Sequence, residues 1–360
     1  MALAMTILSS QVRSFMSQSF AAGGPPAGEE FNRLALALFA MQREAVPVYR
    51  ALCERRNANS ETIQDWRQIP ALPTSAFKAY EVSSIPAGER TRVFHSSGTT
   101  AQAPSRHFHN AESLAVYEAS LLPWFQRHFF ASQPAPMKLV FLTPEFAPHS
   151  SLVHMFTTVR RHFGAPDSVF TGRLDADGAW SLDVEQSLGM VREAIGENRP
   201  LGLLGTAFSF VQLLDHLQSV GKRFALPALS RIMETGGYKG RSRTVPKAQL
   251  RQILAKFLGV QPKNVLAEYG MSELSSQAYD NSAGVFHFPP WARARVISPE
   301  NGEDMAEGET GLLRVFDIAN IASVMAVQTE DLAVRRGDGF ELLGRAASVE
   351  PRGCSLMAGN

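Results

Sequence analysis

The sequence predicts an α/β protein: mixed, largely parallel sheets flanked by helices, with a small antiparallel β subdomain near the C-terminus. Three observations carry this. Residues 1–90 place apolar side chains at helical spacing. Across residues 91–290, short apolar runs alternate with amphipathic stretches, the order of strands and helices in an α/β fold. From Trp291 onward the runs are separated by Asn301-Gly302, Glu307-Gly308 and Asp338-Gly339, the punctuation of hairpins.

Taken in order, residues 31–50 carry Leu34, Leu36, Leu38, Phe39 and Met41 at helical spacing, after the breakers Gly23-Gly24-Pro25-Pro26. Residues 21–30 read as a loop joining an N-terminal helix to the body. Residues 138–143 predict a buried strand, and residues 201–205 a second, followed by a helix over 207–220. Residues 229–233 lead into Gly236-Gly237, and residues 265–269 into Gly270. The runs 294–297, 310–316, 321–328 and 340–343 read as antiparallel strands. The expected division is a helical region over 1–90 packed on the core, a nucleotide- and acid-binding core over 91–290, and the antiparallel subdomain with a mobile tail over 291–360.

Composition narrows the function classes. A chain of 360 residues, 45% hydrophobic, can bury one large core or two ordinary ones. A net charge of +1 supplies no field directed at nucleic acid or an anionic membrane. The apolar runs 201–204 and 312–316 are far too short to cross a bilayer. Residues 1–21 lack a basic start followed by a compact apolar run, so no secretory signal is expected. Two cysteines, Cys53 and Cys354, build neither a disulfide framework nor a zinc site, and the cytoplasm is the expected compartment. Cys53, in a predicted helix, reads as packing.

The sharpest local signal is His95-Ser96-Ser97-Gly98-Thr99-Thr100. Hydroxyls around one glycine make a turn whose backbone N–H groups can converge on an anion, with side-chain donors added. No Gly-Lys-Ser/Thr follows, so this is not a Walker loop. Read alone, a turn of this kind is more often a solvated loop.

Four further segments come in a fixed order behind it: Glu234-Thr235-Gly236-Gly237-Tyr238; Glu268-Tyr269-Gly270-Met271-Ser272-Glu273; Thr329-Glu330-Asp331-Leu332; and residues 339–345, ending Gly344-Arg345. Together with the hairpin pattern of residues 299–315, the five resemble the motifs of the adenylate-forming superfamily over residues 90–345. A closer resemblance is to the LuxE-type acyl-protein synthetases of bacterial bioluminescence. The chain length, residues 234–243 and the ending Glu350-Pro351-Arg352-Gly353-Cys354-Ser355 carry it. The resemblance implies ATP and Mg²⁺ as cofactors, a carboxylic acid as substrate, and an acyl-AMP. It further implies transfer of the acyl group to a cysteine near the C-terminus and delivery to a partner reductase.

Activation brings a carboxylate oxygen to the α-phosphate of ATP, two anions that repel in water, so charge must be neutralised and the groups aligned. The resemblance assigns the phosphates to Ser96, Ser97, Gly98, Thr99 and Thr100. Glu273 is the expected Mg²⁺ ligand, since magnesium keeps most of its water and takes few carboxylates. Ser272 is expected to hydrogen-bond the α-phosphate. Tyr269 offers a ring for adenine, Tyr238 shares or replaces that role, and Gly236 and Gly237 allow close backbone approach. Asp331 accepts two hydroxyl protons, as a ribose diol requires, and Arg345 donates to the same sugar. Each has a plainer reading: a surface glutamate, a tight turn with a core tyrosine, a salt bridge at a hairpin end.

The sequence departs from the superfamily pattern in three places. Residues 100–106 lack the usual lysine, so either Arg106 supplies charge or the loop holds pyrophosphate less tightly. Thr329-Glu330-Asp331 carries an extra carboxylate where the pattern has glycine. The sequence stops soon after Arg345, where superfamily members continue into a lid domain bearing a catalytic lysine. Either another cation substitutes, or catalysis is slow, or a partner supplies the lysine; Lys239, Arg241 and Arg243 are the candidate cations, or else a solvated basic loop.

Cys354 lies nine residues beyond Arg345, a reach of roughly 30 Å when extended. Arg352 favours its thiolate, and the alternative is an inert tail thiol. The acid is expected against residues 204–210 and 236–238, with Phe208 and Phe210 making an apolar pocket; His154 reads as a core histidine or a pocket lining. Two other functions stay open here. One is adenylation of an aryl or other biosynthetic acid, with CoA, a carrier or an amine as acceptor. The other is a catalytically weak nucleotide-binding subunit docked on a partner. The sequence is compatible with an oligomer.

Overall fold

The computed structural model describes residues 2–21, 28–96, 103–130, 136–175, 179–236 and 245–346. The chain opens with three helices, Ala2–Ala21, Gly28–Ala45 and Pro47–Arg55. Glu29 and Glu30 stand in the first turn of the second, where carboxylates oppose the positive end of the helix dipole. The helix expected over 31–50 is thus two. Val46 is extended (φ −110°, ψ 103°), and Pro47, without an N–H to donate, starts a new helix. Leu34, Leu38 and Phe39 are buried as their spacing predicts. Cys53 is buried, and burial pushes its thiol up to about 11, which leaves it protonated and inert.

A twelve-stranded sheet organises the described residues. Its parallel half reads Val169–Phe170, Lys138–Phe141, Leu201–Thr206, Arg231–Thr235 and Val265–Tyr269 across the sheet. The chain steps outward from Lys138–Phe141 to Val169–Phe170, then returns to the other side at Leu201–Thr206. This reversal is the kind of switch point beside which α/β sheets bind ligands, at the carboxyl ends of the strands. Ala278–Asp280 then pairs antiparallel with Val265–Tyr269. Beyond it follow Val285–His287, Gly339–Arg345, Ala326–Arg336, Thr310–Asp317 and Ala292–Ile297, each antiparallel to its neighbour. The C-terminal strands therefore continue the same sheet. Leu72–Pro73 adds to it by pairing parallel with Val327 and Gln328.

The parallel strands are apolar on both faces because both are covered. Val140, Leu203, Ile232 and Val265 enter one core with the helices Val184–Gly196, Ala207–Ser219 and Lys247–Leu258. Leu139, Phe141, Leu204, Met233 and Leu266 enter the other, with the N-terminal helices and with Ala111–Phe125 and Ser151–Phe163. The strand expected over 321–328 begins only at Ala326 and runs to Arg336. Residues 318–325 are buried but irregular, held by Asp317 N–H to the Met325 carbonyl (2.7 Å). A short apolar run reports burial, not strand geometry.

Leu204 is fully buried in a central strand. Leu204→Ala is expected to cost about 2–5 kcal/mol, read as a lower urea midpoint with an unchanged slope.

Candidate active site

Two glycines mark the carboxyl edge of the parallel half. Gly236 follows Arg231–Thr235 with φ +70°, a left-handed conformation that only glycine adopts freely. Gly270 follows Val265–Tyr269, and a Cβ there would stand 2.3 Å from Glu268 Oε1. Both are exposed, so a ligand at this edge meets bare backbone.

Hydrogen bonds connect the described parts of all five motifs. Ser96 and Ser105 close the base of the hairpin Arg92–His95/Arg106–His109: Ser96 N–H donates to Ser105 O (3.2 Å), and Ser105 N–H to Ser96 Oγ (2.9 Å). Ser105 Oγ meets Ser272 Oγ at 3.2 Å, and Ser272 Oγ donates to Glu273 Oε2 at 3.0 Å. His107 Nδ1–H donates to the Ser272 carbonyl at 2.8 Å. On the glycine-turn side, Thr235 Oγ1 donates to Glu268 Oε2. One residue on, the Tyr269 hydroxyl donates to Asp331 Oδ2 at 2.7 Å. Asp331 is in register with Arg345 across adjacent strands, with Arg345 Nε 3.8 Å from Oδ1.

Exposure sorts these residues. Gly236, Gly270 and Arg345 are exposed, Ser96, Met271 and Asp331 half-buried, and Glu268, Tyr269, Ser272 and Glu273 buried. The Tyr269 ring is boxed edge-on by Phe286, Phe288 and Phe340, so apolar packing sets where its hydroxyl lies. Phe208 is half-buried, but Phe210 is fully buried in the core beneath Leu201–Thr206. The expected pocket lining is therefore corrected at Phe210, whose side chain falls on the core face of its helix. Ser97, Gly98, Thr99, Thr100, Gly237, Tyr238, Lys239, Arg241, Arg243 and Cys354 lie outside the described residues.

Sequence reasoning missed several supports. Ser105 and His107 sit beneath Ser272, and alternation along Arg106–His109 was the available signal, since it buries His107 and His109 together. Burial pushes His107 down to about 4, so it stays neutral, with its proton on the nitrogen facing the carbonyl. Lys247 Nζ pairs with Glu234 Oε1 at 3.0 Å and lies 5.5 Å over the Phe286 ring; Arg251 pairs with Asp280. Nothing in the local sequence marks these pairs.

Behind the glycine turn the interior is rich in acid. Burial pushes Glu268 up to about 7, against the Thr235 hydroxyl and Lys247, which favour its charge, while Glu234 disfavours it. Burial also raises Asp331, partly offset by the Tyr269 hydroxyl. Between the ordinary value of 4.5 and about 7, folded Glu268 keeps a proton that the unfolded chain has lost. Its contribution to stability therefore falls as pH rises through that window. Glu268→Gln removes the dependence: relative to the parent, its melting temperature should rise from pH 5 to pH 8, by at most roughly 3 kcal/mol of stability. A difference that does not change with pH would refute the assignment.

The family of the acyl-protein synthetase LuxE matches residues 14–360. Long-chain-fatty-acid–luciferin-component ligases of Vibrio harveyi and Aliivibrio fischeri are each 22% identical to this chain. The matches span 86% and 87% of it and 82% and 83% of theirs. Among solved structures, an open conformation of 2-hydroxyisobutyryl-CoA ligase in complex with 2-HIB-AMP and CoA shares the fold. Its TM-score is 0.63 at 12% identity, over 89% of this chain and 76% of that one. A large mixed sheet flanked by helices, an edge that brings together the described parts of the five motifs and a family match over nearly the whole length agree: this chain belongs to the LuxE family of acyl-protein synthetases and is a ligase of the adenylate-forming fold.

Proposed function

We propose that the chain activates an apolar carboxylic acid with ATP to an acyl-AMP and passes the acyl group to the thiol of Cys354, for delivery to a partner reductase. The observation that carries the reading is the hydrogen bond from Tyr269 to Asp331, which joins two motifs 62 residues apart at the carboxyl edge of the sheet. An edge that combines a bare glycine turn, an oriented carboxylate and paired hydroxyls fits the parts of a nucleotide. Gly236 lets the backbone approach a base, Asp331 with Arg345 suits a ribose diol, and Ser272 with Ser96 suits phosphate oxygens. The fatty-acid ligases among the relatives support an alkyl acid.

Glu273 fits a magnesium ion in kind: its carboxylate lies beside the Ser272 hydroxyl, and magnesium keeps most of its water and takes few carboxylates. Mg²⁺ held there would neutralise phosphate charge during the displacement. In the first step an oxygen of the acid attacks the α-phosphorus and pyrophosphate leaves. In the second the Cys354 thiolate attacks the acyl carbonyl carbon, and AMP leaves with the bonding pair. Asp331 and Arg345 hold the sugar, Ser272 the α-phosphate, and the segment containing Lys239 and Arg241 supplies cations to the leaving group.

Labelled fatty acid with ATP and Mg²⁺ should mark the chain covalently, and Cys354→Ala should abolish the mark while acid-dependent pyrophosphate exchange persists. Label retained by Cys354→Ala would remove that residue as acceptor, and absence of exchange would remove the adenylation reading. Asp331→Asn, which keeps the shape but not the charge, should raise KM for ATP about tenfold, the worth of one charge-assisted hydrogen bond. An unchanged KM would overturn the ribose assignment.

A further inference from the structure

Ser272 and Glu273 stand on residues 271–276, a turn-like segment outside helix and strand, so something else must fix them. Two buried side chains do so. Asn320 Nδ2 donates to the Glu273 carbonyl at 2.9 Å, and to Val324 O at 3.2 Å. Asp317 accepts the N–H groups of Ser275 (2.9 Å) and Ser276 (2.8 Å), the Ser276 hydroxyl (2.7 Å) and the Ala319 N–H (3.0 Å).

Asn320 is in turn held from the far end of the sequence. Gln42, on the helix Gly28–Ala45, donates through Nε2 to the Asn320 carbonyl at 2.7 Å and accepts the Met325 N–H on Oε1 at 2.9 Å. Gln42 and Asn320 are 0% and 1% exposed. A methionine would fill the Gln42 position without the cost of burying an amide. What the amide adds is direction: its two hydrogen bonds fix where the Asn320 carbonyl and the Met325 N–H lie, where apolar packing admits several arrangements.

We propose that Gln42 and Asn320 are positioning residues for acyl activation: through the backbone of Glu273 they fix where its carboxylate meets magnesium and the phosphates. The inference rests on the reading of Glu273 as the metal ligand. The N-terminal helices thereby help to form the site as well as covering the core.

The test is ATP affinity by equilibrium dialysis, with Mg²⁺ and with chelator, for Gln42→Met, Asn320→Ala and Glu273→Gln, each confirmed folded by circular dichroism. Gln42→Met and Asn320→Ala should each weaken binding in Mg²⁺ about tenfold, the worth of one buried hydrogen bond, and leave binding in chelator unchanged. Gln42→Glu, which keeps the acceptor for Met325 and loses the donor, should fall between. Should Gln42→Met fail to fold, Asn320→Asp carries the same test. Losses equal in Mg²⁺ and chelator would show a merely structural role and overturn the proposal. Glu273→Gln losing the magnesium effect while the other variants keep it would also overturn it. Glu273→Gln keeping the effect would instead overturn the metal reading of Glu273.

Discussion

The geometry of the site depends on the hydrogen bond between Tyr269 and Asp331. It joins the last parallel strand to a strand of the antiparallel half, across the sheet's carboxyl edge. Phe286, Phe288 and Phe340 pack edge-on against the ring and so set where its hydroxyl lies. Apolar burial, which has no direction of its own, is thereby converted into a fixed position for a carboxylate. Asp331, Arg345 and Gly270 inherit their places from that arrangement.

The structure handles its buried carboxylates in two ways. Asp317, fully buried and pushed up to about 6, is saturated by four donors, which holds residues 273–276 in place. Glu268, pushed up to about 7, is less well served, with the Thr235 hydroxyl and a neighbouring Lys247 that is already paired with Glu234. Four donors hold Asp317 in one geometry, whereas Glu268 has fewer, and burial raises both carboxyls above their ordinary range. Both lie one layer beneath the residues that face the edge.

Much of this was legible in the sequence, for physical reasons that differ by element. The strand Val265–Tyr269 has its predicted bounds because a run buried on both faces and closed by glycine leaves little choice. The glycine turn at Gly236 was legible from motif order, but the bond between Tyr269 and Asp331 was not, because order along the chain does not say which side chains meet. The single sheet was not legible, because antiparallel hairpins read alike whether they form their own layer or extend another. Ile321–Met325 misled because complete burial of an apolar run does not fix its backbone. Gln42 was invisible: a glutamine on a helix looks exposed until the partner 278 residues away is known.

Electrostatics links these layers to the chemistry. Glu234, Glu268, Glu273 and Asp331 surround the glycine edge from within, with Lys247 drawn to Glu234 and Arg345 standing on the rim, 75% exposed. A bare polyphosphate entering such a field is repelled unless cations arrive with it or from the rim. Burial raises Glu268 to about 7, which lowers its charge near neutral pH without removing the carboxyl group that accepts the Thr235 hydroxyl. By contrast, neutral groups, Ser272 and Ser105 above a neutral His107, stand beside Glu273. Ser272 and Glu273 stand on a segment with no helix or strand of its own, so their places depend on the hydrogen bonds that Asn320 and Asp317 make to its backbone.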